Sequence, residues 1–174
     1  EFEISCKNPS IDDSDIVTGV TDRHVVEWTA NGSREVCKKI FIHHQLVNPL
    51  NELKLEAAKN GFDLCVCSGY RSFAQQASIW SEKLSGRRDV LNSNGKALNL
   101  KGLSDYQKIE AILRWSALPG ASRHHWGSDV DVFDGASIPN NYQLRLVPEE
   151  TMEGGMFAPM HTWLDKKVDS NNGF

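Results

Sequence analysis

Apolar positions along the chain recur at two different periods. Leu46, Leu50, Leu53 and Ala57 follow the spacing of one helix face, with Pro49 tolerable in the first turn and Gly61 as a stop. Residues 62–67 form a short, mostly apolar run instead, which predicts a strand. This strand delivers the turn Ser68-Gly69-Tyr70-Arg71-Ser72, placing Arg71 at its C-terminal end. Ser72 then reads as the cap of a helix whose stripe is Phe73, Ala77, Trp80 and Leu84, with Gln75 and Gln76 in its first turns and Trp80 in the core.

A second cap, Ser104 with Gln107 three residues on, opens a helix with Tyr106, Ile109, Leu113 and Ser116 on one face, and Pro119-Gly120 ends it. Residues 86–102 between these helices are an Asn-, Gly- and Lys-rich loop. Further on, residues 142–147 are a strand candidate, and Phe157, Met160, Leu164 and Val168 stripe a last helix that Gly173 ends in a left-handed conformation. Residues 1–35 lack a helical period apart from a strand-like run at 23–28, and read as an arm packed on the core. His24 within that run, the His43-His44 pair before the first long helix and His161 on the last one all read as structural or surface groups.

Ser122-Arg123-His124-His125-Trp126 has no usable period, whereas from Ser128 the pattern alternates. Val130 and Val132 fall on one face, and Asp129, Asp131 and Phe133 on the other. Two acids on one face, just after a His-His pair, suggest a cleft. Imidazole and carboxylate are usual zinc ligands, and a strand end holds a carboxylate precisely. On composition alone, a metal site and a surface strand with polar neighbours both remain open.

The chain has 174 residues, 40% hydrophobic and 24% charged, which fits one soluble domain with its own core. A net charge of -4 argues against a nucleic-acid partner, because phosphate binding needs clustered Lys and Arg, and Arg87-Arg88 is too small a cluster. No run approaches the length of a membrane span. Of the four cysteines, Cys65 and Cys67 sit in an apolar strand as small hydrophobes, and a Cys6–Cys37 bridge would suit an oxidising compartment.

Ser122, His124, Gly127 and Asp131 together match Ser-x-His-x-x-Gly-x-x-x-Asp. This resembles the zinc motif of the VanY- and VanX-type D-alanyl-D-alanine metallopeptidases. Ser68-Gly69-Tyr70-Arg71-Ser72 with Gln76 resembles the second signature of that family, and the likeness covers about residues 45 to 174. The resemblance implies a small α+β domain, with a mostly antiparallel sheet and flanking helices lining a zinc cleft. It implies His124 and Asp131 as zinc ligands, Arg71 as the catalytic cation, and Ser122 and Gln76 at the substrate end. Asp129 is then expected to tune His124 rather than replace Asp131, His125 to be an outer partner or a surface group, and Trp126 a cleft wall or core residue.

The implied activity is a zinc D,D-carboxypeptidase trimming D-alanine from peptidoglycan stem peptides, monomeric and extracytoplasmic. A D,D-dipeptidase, an L-alanyl-D-glutamate endopeptidase and a non-catalytic wall-binding module are the rivals. In the family a C-terminal Glu-x-x-His supplies the third ligand and the general base, and no such motif occurs in these residues. The expectation is therefore that the intact protein is longer at its C-terminus.

Overall fold

The structure is a computed structural model that describes residues 13–31 and 39–169. The Cys6–Cys37 bridge and the Gly173 cap lie outside the described residues, as does the Val168 side chain. The helices are α1 (Asp13–Val17), α2 (Val47–Lys59), α3 (Phe73–Leu84), α4 (Asp105–Leu113), α5 (Pro148–Thr151) and α6 (Ala158–Asp169). The strands are β1 (Val25–Trp28), β2 (Ile40–His43), β3 (Leu64–Ser68) and β4 (Asp131–Asp134). This is the expected α+β class, with the antiparallel pairing divided between two ribbons.

In one ribbon Val25 lies opposite His43 and Trp28 opposite Ile40. In the other, Leu64 faces Asp134 and Val66 faces Val132, and an irregularity between Val66 and Ser68 sets Ser68 opposite Asp131. That shift in register brings Ser68, at the head of the Ser68–Ser72 turn, beside Asp131. The main core packs Ile40, Ile42 and Trp28 from the first ribbon against Leu50, Leu53 and Ala57 of α2, Leu64 and Val66 of β3, and Met160 of α6. The α2 stripe is therefore the expected one, and Phe157 and Met160 are likewise buried. Both capping boxes form, Ser72 with Gln75 and Ser104 with Gln107.

Four expectations are corrected. On α3 the buried residues are Gln76, Trp80 and Lys83, while Phe73 and Leu84 are exposed. Buried polar groups are unfavourable unless they are hydrogen-bonded, so two of them in its stripe mark an interior with polar partners of its own. On α4 Ile112 is the buried residue, packed on Trp80 and Val90, and Tyr106 is 70% exposed. The alternation from Ser128 becomes a strand only at Asp131.

The fourth correction is that residues 142–147 form no strand. Leu146 has φ 54°, a left-handed conformation that interrupts an extended run. The buried Glu150 carboxylate takes the place of a neighbouring strand, accepting from the backbone N–H groups of Arg145 (3.0 Å) and Val147 (3.4 Å) and from the Tyr142 hydroxyl (2.6 Å). Among the described residues no helix is long and apolar enough to cross a membrane.

Candidate active site

The polar stretch before β4 folds into a single 3-10 turn, Arg123–Trp126, ended by Gly127 at φ 70°. The fully buried His125 anchors it. Its Nε2 accepts from the Gly120 N–H at 3.0 Å, so the ring proton sits on Nδ1 and is donated to the Arg71 carbonyl at 2.5 Å. The Arg71 N–H donates in return to the His124 carbonyl at 3.0 Å, and the His43 N–H donates to the Gly127 carbonyl at 2.7 Å. His24 is buried and structural, with its Nε2–H donated to the His125 carbonyl at 2.9 Å. His43 caps the turn before α2, as a helix-entry residue should.

These bonds bring His124 and Asp131 together. A carbonyl can only accept, so His124 donates its Nδ1–H to the Asp129 carbonyl at 3.1 Å. Its Nε2 is left facing the Asp131 Oδ2 at 3.4 Å. Holding the proton on the far nitrogen is how an outer partner prepares an imidazole to bind a metal. Asp129 acts through its main chain; its carboxylate pairs with Arg123 at 3.5 Å and is not beside His124 Nε2.

Burial works to raise the Asp131 carboxyl, but the hydrogen bond and charge of His124, the Arg71 guanidinium and the Ser68 hydroxyl hold it below the ordinary carboxylate value. The pair thus sets an acid held toward its ionised form against an imidazole nitrogen. That donor set suits zinc, and it is incomplete: no three His, Cys, Asp or Glu side chains converge among the described residues.

Arg71 donates from one guanidinium nitrogen to Gln76 Oε1 at 2.8 Å and from the other to Ser68 Oγ at 3.0 Å. Gln76 is fully buried and gives its own amide N–H to the Ala117 carbonyl at 2.6 Å. Expected at the substrate end, it is placed behind Arg71, whose side chain it orients. Ser122, nearly buried, does line the cleft.

Trp126 is 45% exposed and faces a separate shallow groove with Ile16 and His43, so it is neither core nor a wall of this cleft. His161 is half-buried on α6, in a neighbouring apolar groove.

The cleft measures about 1110 Å³. Its basic side chains are Arg71, Lys83, Arg87, Arg88, Arg123 and Arg145, against the acids Asp89, Asp129 and Asp131. A chain that is acidic overall thus concentrates positive charge on this one surface, which favours an anionic ligand. Lys83 is not among the site residues the sequence suggests, and His125, expected as an outer partner or a surface group, is fully buried behind the turn. Lys83 occupies a helix position that would ordinarily hold an apolar residue, seven after Gln76, and that spacing was the available signal.

Fold and site together define a small α+β domain with a cationic cleft and a His–Asp pair at its edge. The chain belongs to the VanY family, D-alanyl-D-alanine carboxypeptidase, which it matches over residues 39–174. An uncharacterized protein of Haemophilus influenzae is 41% identical over 104 residues, covering 60% of this chain and 68% of that protein. A second uncharacterized protein of the same organism is 43% identical over 51 residues, 29% of this chain and 39% of that one. A solved structure of VanYB in complex with D-alanine-D-alanine superposes with a TM-score of 0.50 at 23% identity, covering 73% of this chain and 55% of that one. The present chain thus spans little more than half the length of that structure, and the likeness is one of fold.

Proposed function

We propose that this cleft is the active site of a zinc-dependent D-alanyl-D-alanine carboxypeptidase acting on peptidoglycan stem peptides outside the cytoplasm. The observation that carries the reading is the His124–Asp131 pair, with the imidazole proton held on the Asp129 carbonyl and Nε2 turned to the carboxylate. His124 and Asp131 are two zinc ligands in this reading. A zinc ion bound there supplies Lewis acidity toward a scissile carbonyl and toward water.

The remaining chemistry belongs to the chain. Arg71 is held by Ser68 and Gln76, so its fork keeps one orientation at the cleft wall. Burial lowers its pKa, with Arg88 acting in the same direction and Asp131 opposing. A guanidinium remains charged under such a shift and offers a fixed positive site to a developing oxyanion in a partly dry cleft. Ser122 lines the same wall and offers a hydroxyl to the substrate peptide. Membership of the VanY family and the resemblance of a solved D-alanine-D-alanine complex support a peptide ending in D-alanine as substrate.

Zinc content and D-alanine release from an acyl-D-Ala-D-Ala peptide test this reading. Zinc binding is expected to disappear in His124→Ala, along with any hydrolysis. An unchanged zinc stoichiometry in that variant overturns the assignment.

A further inference from the structure

Lys83 is 8% exposed, and it is the one charged side chain among the described residues that both lines the cleft and is buried. Its ammonium donates to the Ser116 Oγ at 2.6 Å. Burial lowers its pKa, and the guanidiniums of Arg88 and Arg71 push it the same way, with no carboxylate offsetting them. Burying an ammonium beside two further cations is unfavourable unless something neutralises it. Arg88 has Glu82 at 3.8 Å and Arg71 has Asp131 nearby, so the unbalanced charge is that of Lys83.

We infer that Lys83 and Ser116 bind the C-terminal carboxylate of the substrate peptide, and that this contact confines the enzyme to the end of a chain. The inference rests on the peptidase reading of the cleft and adds the residues that make it an exopeptidase.

The donors suit a carboxylate. Ser116 accepts from Lys83, which leaves the hydroxyl proton of Ser116 free to be given to the same anion as the ammonium. The spacing suits it as well. Lys83 follows Gln76 by seven residues on α3, roughly 10 Å along the axis at the helical rise. A long helical side chain leans toward the N-terminus, which shortens the gap to the Arg71 that Gln76 holds. The scissile carbonyl belongs to the penultimate residue, so with it held near Arg71 the carboxylate of the terminal residue lies a few ångströms further along the same cleft that Lys83 lines. An internal peptide bond presents no such charge, so it leaves Lys83 buried and unneutralised.

The test compares an acyl-D-Ala-D-Ala peptide with the same peptide ending in a carboxamide, by calorimetric binding and by steady-state hydrolysis. Wild type is expected to favour the acid by at least about tenfold in Kd and KM. Lys83→Met, which keeps the length and removes the charge, is expected to lose that preference through KM and Kd, with kcat changed much less. His124→Ala is expected to keep the preference in binding, which separates this subsite from the metal pair.

If a folded Lys83→Met still prefers the acid, or if wild type takes acid and amide alike, the inference is overturned and the peptidase reading stands. If wild type neither binds nor hydrolyses either peptide, the peptidase reading fails and takes the inference with it. Should Lys83→Met not fold, Ser116→Ala carries the test. A severalfold fall in acid preference there supports the subsite, and an unchanged preference overturns it.

Discussion

Two adjacent histidines, His124 and His125, are expected to fail in opposite ways when truncated to alanine. His125 is fully buried; it donates to the Arg71 carbonyl and accepts from the Gly120 N–H. Its removal orphans one buried acceptor and one buried donor, at about 1–3 kcal/mol each. It also leaves a ring-sized void that the surrounding main chain fills only in part, and large-to-small core changes cost about 2–5 kcal/mol. These contributions overlap rather than add, so about 4 kcal/mol is the expected loss for His125→Ala.

His124 instead makes a ring hydrogen bond to the Asp129 carbonyl and a 3.4 Å contact with the partly exposed Asp131. Its truncation is expected to cost about 1 kcal/mol. Urea unfolding of both variants at neutral pH, with the m-value checked for constancy, measures the contrast. Zinc titration then supplies the other half, with binding lost in His124→Ala and weakened in His125→Ala only as far as the turn is disordered. Equal unfolding midpoints for the two variants would refute the reasoning, because they would mean that the bonds of His125 do not hold the turn.

Gly127→Ala should cost well above the roughly 1 kcal/mol of a left-handed alanine, because its Cβ would meet Val25 Cγ1 at 2.7 Å and the His43 nitrogen at 2.8 Å. Gly61→Ala, at φ 86° with nothing within 4 Å, is the control that should cost only the conformational part; thermal unfolding that ranks the two alike sinks the argument. The folded pKa of Asp131 lies below its ordinary value, so its contribution to stability is present above the ordinary carboxylate pKa of about 3.9 and is lost as pH falls through the folded value. Asp131→Asn should therefore flatten the acid limb of stability below about pH 5, and an unaltered slope there counts against it. Burial and the nearby Asp131 push the Cys67 thiol up to about 12, and native protein at pH 8 should accordingly alkylate at this position at least about 100-fold more slowly than unfolded chain. Fast labelling of the folded state would contradict that.

The parts of this chain that can be read from sequence are those where local pattern and tertiary packing agree. The α2 stripe is apolar, periodic and buried, and both Ser–Gln capping boxes form as spaced. His124 and Asp131 converge because a Gly at the right distance permits the left-handed reversal between them. Where pattern fails, a buried polar group has replaced an apolar one. Hydrophobicity puts Phe73 and Leu84 on the inner face of α3, whereas the interior takes Gln76 and Lys83. The segment 142–147 alternates like a strand, but its donors go to the Glu150 carboxylate, a tertiary partner that no periodicity announces. Nor does sequence distinguish two neighbouring histidines of which one faces inward and the other the cleft.

The same residues explain how two short ribbons can hold a site steady. Arg71 and His124 lie 53 positions apart in the chain, yet their backbones are joined directly, the Arg71 N–H reaching the His124 carbonyl, and the buried His125 ring adds a bond to the Arg71 carbonyl. Bonds from the main chain and from a buried ring do not depend on the flexible ends of long side chains, so they carry little entropy cost once the turn is formed. The side chains are then steered from behind, Arg71 by Gln76 and Ser68, and His124 by the Asp129 carbonyl. Only two of these supports could have been recognised as part of a motif. It follows that substitutions at His125 or Gln76, which present no atom to a substrate, should disturb the cleft more than changes at exposed charged residues along its rim such as Arg123.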